Sequence, residues 1–179
     1  MKEKYLGDSY DLVKRFLCQT LSPIAPLYAH QDFVPEEIQA RYTSVTTIPM
    51  LGEKNEAPYA ILLDPDTGIR SPDQPARDAT EAHVSLNFLI KLIRQRHPVY
   101  MICFDQSAHR KHALSKQGQR EAKMRFLSKQ GLHCCYYASH APFLFITEKS
   151  GVLDCILDNL TRAGIPAPLL ERANPSYYY

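Results

Sequence analysis

The stretch YAILLDPDTG, residues 59–68, decides the fold class of this chain of 179 residues. Its first half, YAILL, is a continuous apolar run, which is typical of a strand buried on both faces of a parallel sheet. Its second half, DPDTG, consists of turn-forming residues that end the strand. A second apolar run, VYMICF at 99–104, is followed directly by Asp105. The sequence therefore predicts parallel strands with acidic loops at their carboxyl ends.

The segments that follow predict an alternation of strands and helices. We expect helices over 80–96, 108–130 and 151–162. Strands at 132–137 and 143–147 are five residues apart, which favours an antiparallel hairpin. Strand–helix alternation favours right-handed crossovers and a parallel core. The expected fold is therefore α/β: one three-layer Rossmann-like domain over 1–179, with a mainly parallel sheet and a C-terminal antiparallel hairpin.

The first third of the chain and its tail have weaker signals. A helix is expected over 8–21, because Asp8 or Ser9 can cap it and apolar residues recur at helical spacing. A short strand at 27–30, a short helix at 35–42 and an extended segment at 45–51 follow. Residues 166–179 form a tail rich in proline and tyrosine.

The composition excludes several classes of protein. Hydrophobic residues make up 45% and charged residues 22%, which is ordinary for a globular domain and excludes disordered and collagen-like chains. No apolar run approaches the roughly 20 residues that span a bilayer, and the charged start, Met1–Lys4, is unlike a signal peptide. None of the five cysteines forms a C-x-x-C pair, which favours buried, reduced thiols. We therefore expect a cytoplasmic protein with no membrane partner.

The two strand-end loops carry the candidate catalytic residues. If the strands are neighbours, Asp64, Asp66 and Asp105 come together at one edge of the sheet. Such carboxylates can activate water or hold a hard cation, and Asp64 and Asp66 are the candidate ligands of a Mg²⁺ ion. The alternative is that Asp64 caps a turn and Asp66 closes an Asx-turn with Gly68.

The opening motif GDSYDLVK, residues 7–14, is the second candidate region. Asp8 and Asp11 suit the positive end of a helix dipole, which explains both acids without a function. In the functional interpretation, Asp8, Asp11 and Lys14 bind a ligand, and Lys14 holds a phosphate group. Four further residues near the strand ends are candidate substrate contacts: Thr67, Gly68, Arg110 and His140.

The segment 109–129 is strongly basic, with seven Lys or Arg residues and one acid, Glu121. Such a segment can bind nucleic acid through release of counterions from the phosphate backbone. A charged helix face is also often only solvated. The segment begins just after Asp105, so it is placed to serve the same site.

Three motifs carry a resemblance to a known family. GDSYDLVK (7–14), LLDPDTGI (62–69) and FDQSAHR (104–110) resemble a poorly characterised family of bacterial proteins. Its members open with G-D-x-x-D-x-x-K and carry Leu-Asp-Pro-Asp-Thr/Asn-Gly at a strand end. The resemblance implies a fold and a site, but no reaction.

A more distant likeness is to the Rossmann-like ribosomal-RNA adenine methyltransferases. It places Asp11 and Lys14 on their opening helix and Asp64–Pro65 at the start of their catalytic tetrapeptide. Asp66 and Thr67 stand where those enzymes carry a proline and an aromatic residue, and the glycine-rich turn that binds S-adenosylmethionine is missing from 8–67, where Gly52 is the only glycine. The likeness therefore implies the fold more than methyl transfer.

These observations leave three hypotheses about function. The first is an enzyme that acts on a phosphate-containing or nucleic-acid substrate with a divalent metal at an acidic cleft. The second is a catalytically degenerate methyltransferase-like module that binds a nucleotide or RNA through the 109–129 segment. The third is a protein-interaction domain whose acidic loops only cap the strands.

Overall fold

The computed structural model describes residues 6–52, 58–72, 80, 82–108 and 113–173. These form a mixed α/β fold, as the sequence predicts, with a six-stranded sheet, a two-stranded sheet and five helices. The strands are β1 (Leu27–Ala29), β2 (Ala60–Leu63), β3 (Gly68–Ile69), β4 (His83–Val84), β5 (Met101–Phe104), β6 (His133–Tyr137), β7 (Phe143–Thr147) and β8 (Leu170–Arg172). The helices are α1 (Ser9–Leu21), α2 (Gln39–Thr46), α3 (Leu86–Arg96), α4 (Lys116–Ser128) and α5 (Ser150–Arg162).

The large sheet has the strand order β1-β2-β5-β7-β6-β8. The first three strands run parallel, and the remaining pairs, β5–β7, β7–β6 and β6–β8, are antiparallel. The sheet is therefore mixed, and the expectation of a mainly parallel sheet is wrong. Two features account for the difference. Strand β7 pairs with β5 in the antiparallel direction, and the tail adds β8 as the outermost strand, next to β6.

Alternate residues of the central strands face two separate apolar clusters. Ala60 and Leu62 of β2 belong to the first cluster, and Ile61 and Leu63 belong to the second. The same alternation holds in β5. Residues of α1, α2 and α5 complete the first cluster, whereas residues of α3 and α4 complete the second. A strand residue's position in this alternation therefore decides which helices it meets.

Several element boundaries differ from the predicted ones. Helix α3 begins at Leu86 rather than 80, because β4 pairs with β3 and Ser85 then caps the helix by accepting from the Phe88 N–H. Helix α4 begins at Lys116, where Ser115 accepts from the Gly118 N–H at 3.0 Å. The predicted extended segment 45–51 contributes only a bridge between Met50 and Ala29.

Every helix within the described ranges is too short or too polar to cross a membrane. All five cysteines are free, and burial is complete or nearly so for Cys103, Cys134 and Cys135. Burial also raises the pKa of the Cys134 thiol to about 12, so this thiol stays protonated and unreactive at neutral pH.

Candidate functional site

The loops that carry the predicted site residues meet at one edge of the large sheet. Strands β1, β2 and β5 are parallel, so their carboxyl ends share this edge. Phe143, the first residue of β7, is opposite Phe104, the last residue of β5, and this pairing places the loop 138–142 at the same edge. We refer to this side of the sheet as the carboxyl edge.

A buried ion-pair cluster joins the opening helix to the DPDTG turn. The Nζ atom of Lys14 lies 2.8 Å from Asp11 Oδ1 and 2.5 Å from Asp64 Oδ2. Asp11, Lys14 and Asp64 are 1%, 4% and 4% exposed. The second oxygen of Asp11 accepts from the Gly7 N–H at 2.7 Å. Two distant motifs of the sequence therefore meet directly, but in a buried contact rather than in a wet cleft.

The charge on Lys14 is maintained by its neighbours. Burial alone would lower the pKa of Lys14, but the carboxylates of Asp64 and Asp11 outweigh it and raise that pKa above its ordinary value. Lys14 is therefore a permanent ammonium ion at neutral pH. The sequence had indicated that Lys14 could hold a phosphate group. Because Lys14 is buried between two carboxylates, it is not placed to do so.

Tyr42 of α2 forms one wall of this cluster. The Lys14 Nζ lies 5.5 Å from the centre of its ring, and the residue is fully buried. The negative charge of Asp64 acts on its hydroxyl group. That hydroxyl nevertheless has no hydrogen-bond partner of good geometry among the described residues. Burial, followed by the charges of Asp64 and Asp11, raises the pKa of Tyr42 well above its usual value. The phenol therefore stays protonated.

Asp8 has a structural role at the start of α1. Its side chain accepts from the N–H groups of Tyr10 and Asp11, at 2.8 and 3.3 Å. These are the unsatisfied donors of a first helical turn, so Asp8, rather than the alternative Ser9, is the N-cap of α1.

Asp105 is the centre of a second buried cluster. Its Oδ2 atom lies 2.6 Å from Lys123 Nζ and accepts from the Tyr136 hydroxyl at 2.6 Å. Its Oδ1 accepts from the Ile69 N–H at 2.9 Å and contacts the Ser107 hydroxyl. Burial alone would raise the pKa of Asp105, but Lys123 and the hydrogen bonds from Ser107 and Tyr136 hold that pKa below its ordinary value. All these partners belong to the protein itself.

The two clusters lie on opposite faces of the sheet, so the predicted single acidic cleft is wrong. Asp64 follows the alternation of Ala60 and Leu62 and meets Lys14 of α1, on the side of the first apolar cluster. Asp105 follows the alternation of β5 residues in the second cluster and meets Lys123 of α4. Adjacent parallel strands thus end in carboxylates that point in opposite directions.

The DPDTG turn is held closely against the end of β5. The N–H groups of Thr67 and Gly68 donate to the Ala82 carbonyl, and Thr67 O accepts from the Gln106 N–H at 2.8 Å. Gly68 has a φ of +126°, and a Cβ there would lie 2.4 Å from Asp105 Oδ1 and 2.6 Å from Asp105 Cα. Gly68 is therefore a close-packing position rather than a demonstrated ligand contact.

Replacing Gly68 with alanine tests this packing. We expect Gly68→Ala to reduce the free energy of unfolding by about 2 kcal/mol or more, since the Cβ adds backbone strain and a clash with the Asp105 backbone. Urea denaturation measures the change. Gly151→Ala is the control, because no atom outside its chain neighbours and the backbone of its own helix lies within 4 Å of the position of its Cβ. Equal stability of the two variants would contradict this account of the turn.

A partly exposed aromatic patch lies at the carboxyl edge, beside the turn. The rings of Tyr10 and His140 stack with centroids 5.8 Å apart, and Tyr10 also contacts Phe104 at 5.5 Å. The Gln106 amide nitrogen donates to the Tyr10 hydroxyl and to the His140 carbonyl oxygen. We call Tyr10, Gln106 and His140 the aromatic surface. His140 was predicted from the sequence, whereas Tyr10 and Gln106 were missed although both lie inside quoted motifs.

The basic segment is only partly a surface feature. Lys123 is 2% exposed and pairs with Asp105, and Arg120 makes two hydrogen bonds to Glu171 of β8, at 2.7 and 2.6 Å. Three basic residues remain exposed on the described part of the segment: Lys116, Arg125 and Lys129. Arg110 lies outside the described residues.

No metal centre is formed by the side chains that the structure describes, since none of their groups of three or more His, Cys, Asp or Glu is arranged to hold an ion. Asp66, the second candidate ligand of Mg²⁺, is half-buried in the turn.

In comparisons with known proteins, no family model, curated protein or solved structure matches this chain.

Proposed function

We propose that this protein binds a nucleotide or single-stranded RNA at the carboxyl edge, without carrying out chemistry on it. The observation that carries the proposal is the aromatic surface: a stacked tyrosine and histidine next to a side-chain amide. Proteins recognise unpaired bases by stacking them on aromatic rings and by hydrogen bonds from side chains to the base edges. His140 is exposed, so a base can reach this residue from solvent.

The strand order supports a Rossmann-like architecture for this module. Three parallel strands are followed by an antiparallel strand, β7, that lies between β5 and β6. Helices contribute to an apolar cluster on each face of the sheet. In our proposal the sheet and its helices form a three-layer, methyltransferase-like domain, in which ligands bind beyond the carboxyl ends of the strands.

The ion-pair cluster favours binding over metal-dependent chemistry. An ammonium group lies within 2.8 Å of one oxygen each of Asp11 and Asp64. A Mg²⁺ ion on Asp64 would lie close to this ammonium group and be repelled by it. The buried cluster instead fixes the position of α1, and with it Tyr10, relative to the turn. Our proposal therefore gives Asp11, Lys14 and Asp64 a positioning role rather than a catalytic one.

Binding of a short single-stranded RNA tests the proposal. We expect wild-type protein to raise the fluorescence anisotropy of a labelled ten-nucleotide RNA, and His140→Ala to weaken binding about fivefold or more, since stacking contributes about 1–3 kcal/mol per base. His133→Ala is the matched control, because His133 is also exposed but begins β6 at the opposite edge of the sheet.

Two outcomes would contradict the proposal. One is that the wild-type protein shows no binding to RNA or to mononucleotides at low salt. The other is that His133→Ala weakens binding as much as His140→Ala does, which would indicate diffuse attraction to the surface. Tyr10→Phe separates the two parts of the site, since it keeps the ring and removes the hydroxyl that Gln106 contacts.

A further inference from the structure

A cavity opens at the end of β1, apart from the aromatic surface. It has a volume of about 430 Å³ and lies between two short 3₁₀ turns, Gln31–Phe33 and Glu36–Ile38. Its volume is in the range of about 300–1,000 Å³ in which proteins bind small molecules. No residue of the aromatic surface or of the two ion-pair clusters lines it.

The charged side chains among the described residues of the cavity wall are negative. Asp32 and Glu36 line the cavity together with two amides, Gln31 and Gln39, and no described lysine or arginine lines it. Both carboxylates are accessible, and the Asp32 side chain is 63% exposed. Gln39 is held in place by donation from Nε2 to the Val34 carbonyl oxygen at 3.0 Å. The wall thus combines two carboxylates with two side-chain amides.

The nearest histidine does not cancel this negative charge. His30 Nδ1 lies 3.8 Å from Asp32 Oδ2. Burial lowers the pKa of His30, the charge of Asp32 opposes that shift, and Arg96 adds to it. His30 is therefore neutral at pH 7, and Arg96 lies outside the cavity wall. Asp32 and Glu36 therefore give the described part of the cavity wall two carboxylates and no cation.

From this geometry we infer that the cavity binds a small organic cation, an alkylammonium or guanidinium group, between Asp32 and Glu36. The cavity is much larger than a metal ion. Pro35 is the half-buried apolar residue of the wall, whereas Phe33 and Val34 line it from the core and are each 1% exposed. The inference does not depend on the proposed RNA binding, since the two sites share no residue.

Titration calorimetry with agmatine, which carries both a guanidinium and an ammonium group, tests the inference. We expect wild-type protein to bind agmatine, and Asp32→Asn and Glu36→Gln each to weaken binding at least about threefold. Glu37→Gln is the matched control: it removes the same charge from the same 3₁₀ turn, but Glu37 is exposed and does not line the cavity. It should bind agmatine as wild-type protein does.

Two results would overturn the inference. If wild-type protein does not bind agmatine at millimolar concentration, the cavity is not a cation site. If Glu37→Gln weakens binding as much as Glu36→Gln, the attraction is general to the acidic surface and not specific to the cavity. Thermal melts of each variant establish that it is folded. The agmatine titrations do not depend on RNA, so they test the cavity even if the protein does not bind RNA.

Discussion

Lys14→Met is expected to reduce the free energy of unfolding by about 3–5 kcal/mol at pH 7, because it leaves the buried carboxylates of Asp11 and Asp64 without their cation. Methionine keeps much of the volume of the lysine chain, so the loss reports the charge rather than a cavity. The raised pKa of Lys14 means that its contribution is complete below about pH 10.5, the ordinary value, and is lost as the pH rises through the raised value.

Urea denaturation of the Lys14 variant is interpreted against an exposed control. Lys91→Met lies on the surface of α3 and should change stability by no more than about 0.5 kcal/mol. Adding Asp64→Asn to Lys14→Met should recover part of the loss, since it removes one of the two unpaired charges. A Lys14 variant as stable as the Lys91 variant would contradict the buried ion-pair cluster.

Lys123→Met is expected to cost a similar amount, about 3–5 kcal/mol at pH 7, because Asp105 is 2% exposed and loses its only cationic partner among the described residues. In the wild-type protein the lowered pKa of Asp105 adds stability that is present above pH 3.8 and is lost as the pH falls through the lowered value. In the variant, burial without Lys123 raises that pKa, so the carboxyl group takes up a proton more readily.

The acid dependence distinguishes this charge effect from general damage. We expect the difference in stability between wild-type protein and Lys123→Met to narrow as the pH is lowered from 7 to 4, measured by urea denaturation at each pH. Lys116→Met is the control on the same helix. Lys116 is exposed, so this substitution should leave the free energy of unfolding nearly unchanged at every pH. A difference that stays constant with pH would show that the ion pair with Asp105 is not its cause.

The sequence predicted the elements that bury continuous apolar runs or have clear end signals. The runs at 59–63 and 99–104 become β2 and β5, which pair in parallel as expected. The predicted contact between the opening motif and the DPDTG turn also exists, through Lys14 and Asp64. These features were readable because each depends on local patterns or on the shared edge of parallel strands.

The sequence did not reveal which face each strand-end carboxylate occupies. Asp64 and Asp105 differ in their position within the strand alternation, but that difference becomes informative only when the helices on each face are known. Lys123 looks like any other residue of a basic helix, although it is buried against Asp105. In the same way, the sequence around Glu171 gives no sign that this residue binds Arg120 or that its segment pairs with β6 as strand β8. These are long-range contacts, which leave no periodic pattern.

The most direct test of the proposed binding edge is to map RNA contacts by NMR. Backbone amide shifts of labelled protein are followed as a short single-stranded RNA is added. We expect the largest changes in four segments that are distant in the chain: residues 7–11, 64–68, 105–107 and 138–141. Changes confined to the exposed face of α4, with these four segments unaffected, would contradict binding at the carboxyl edge.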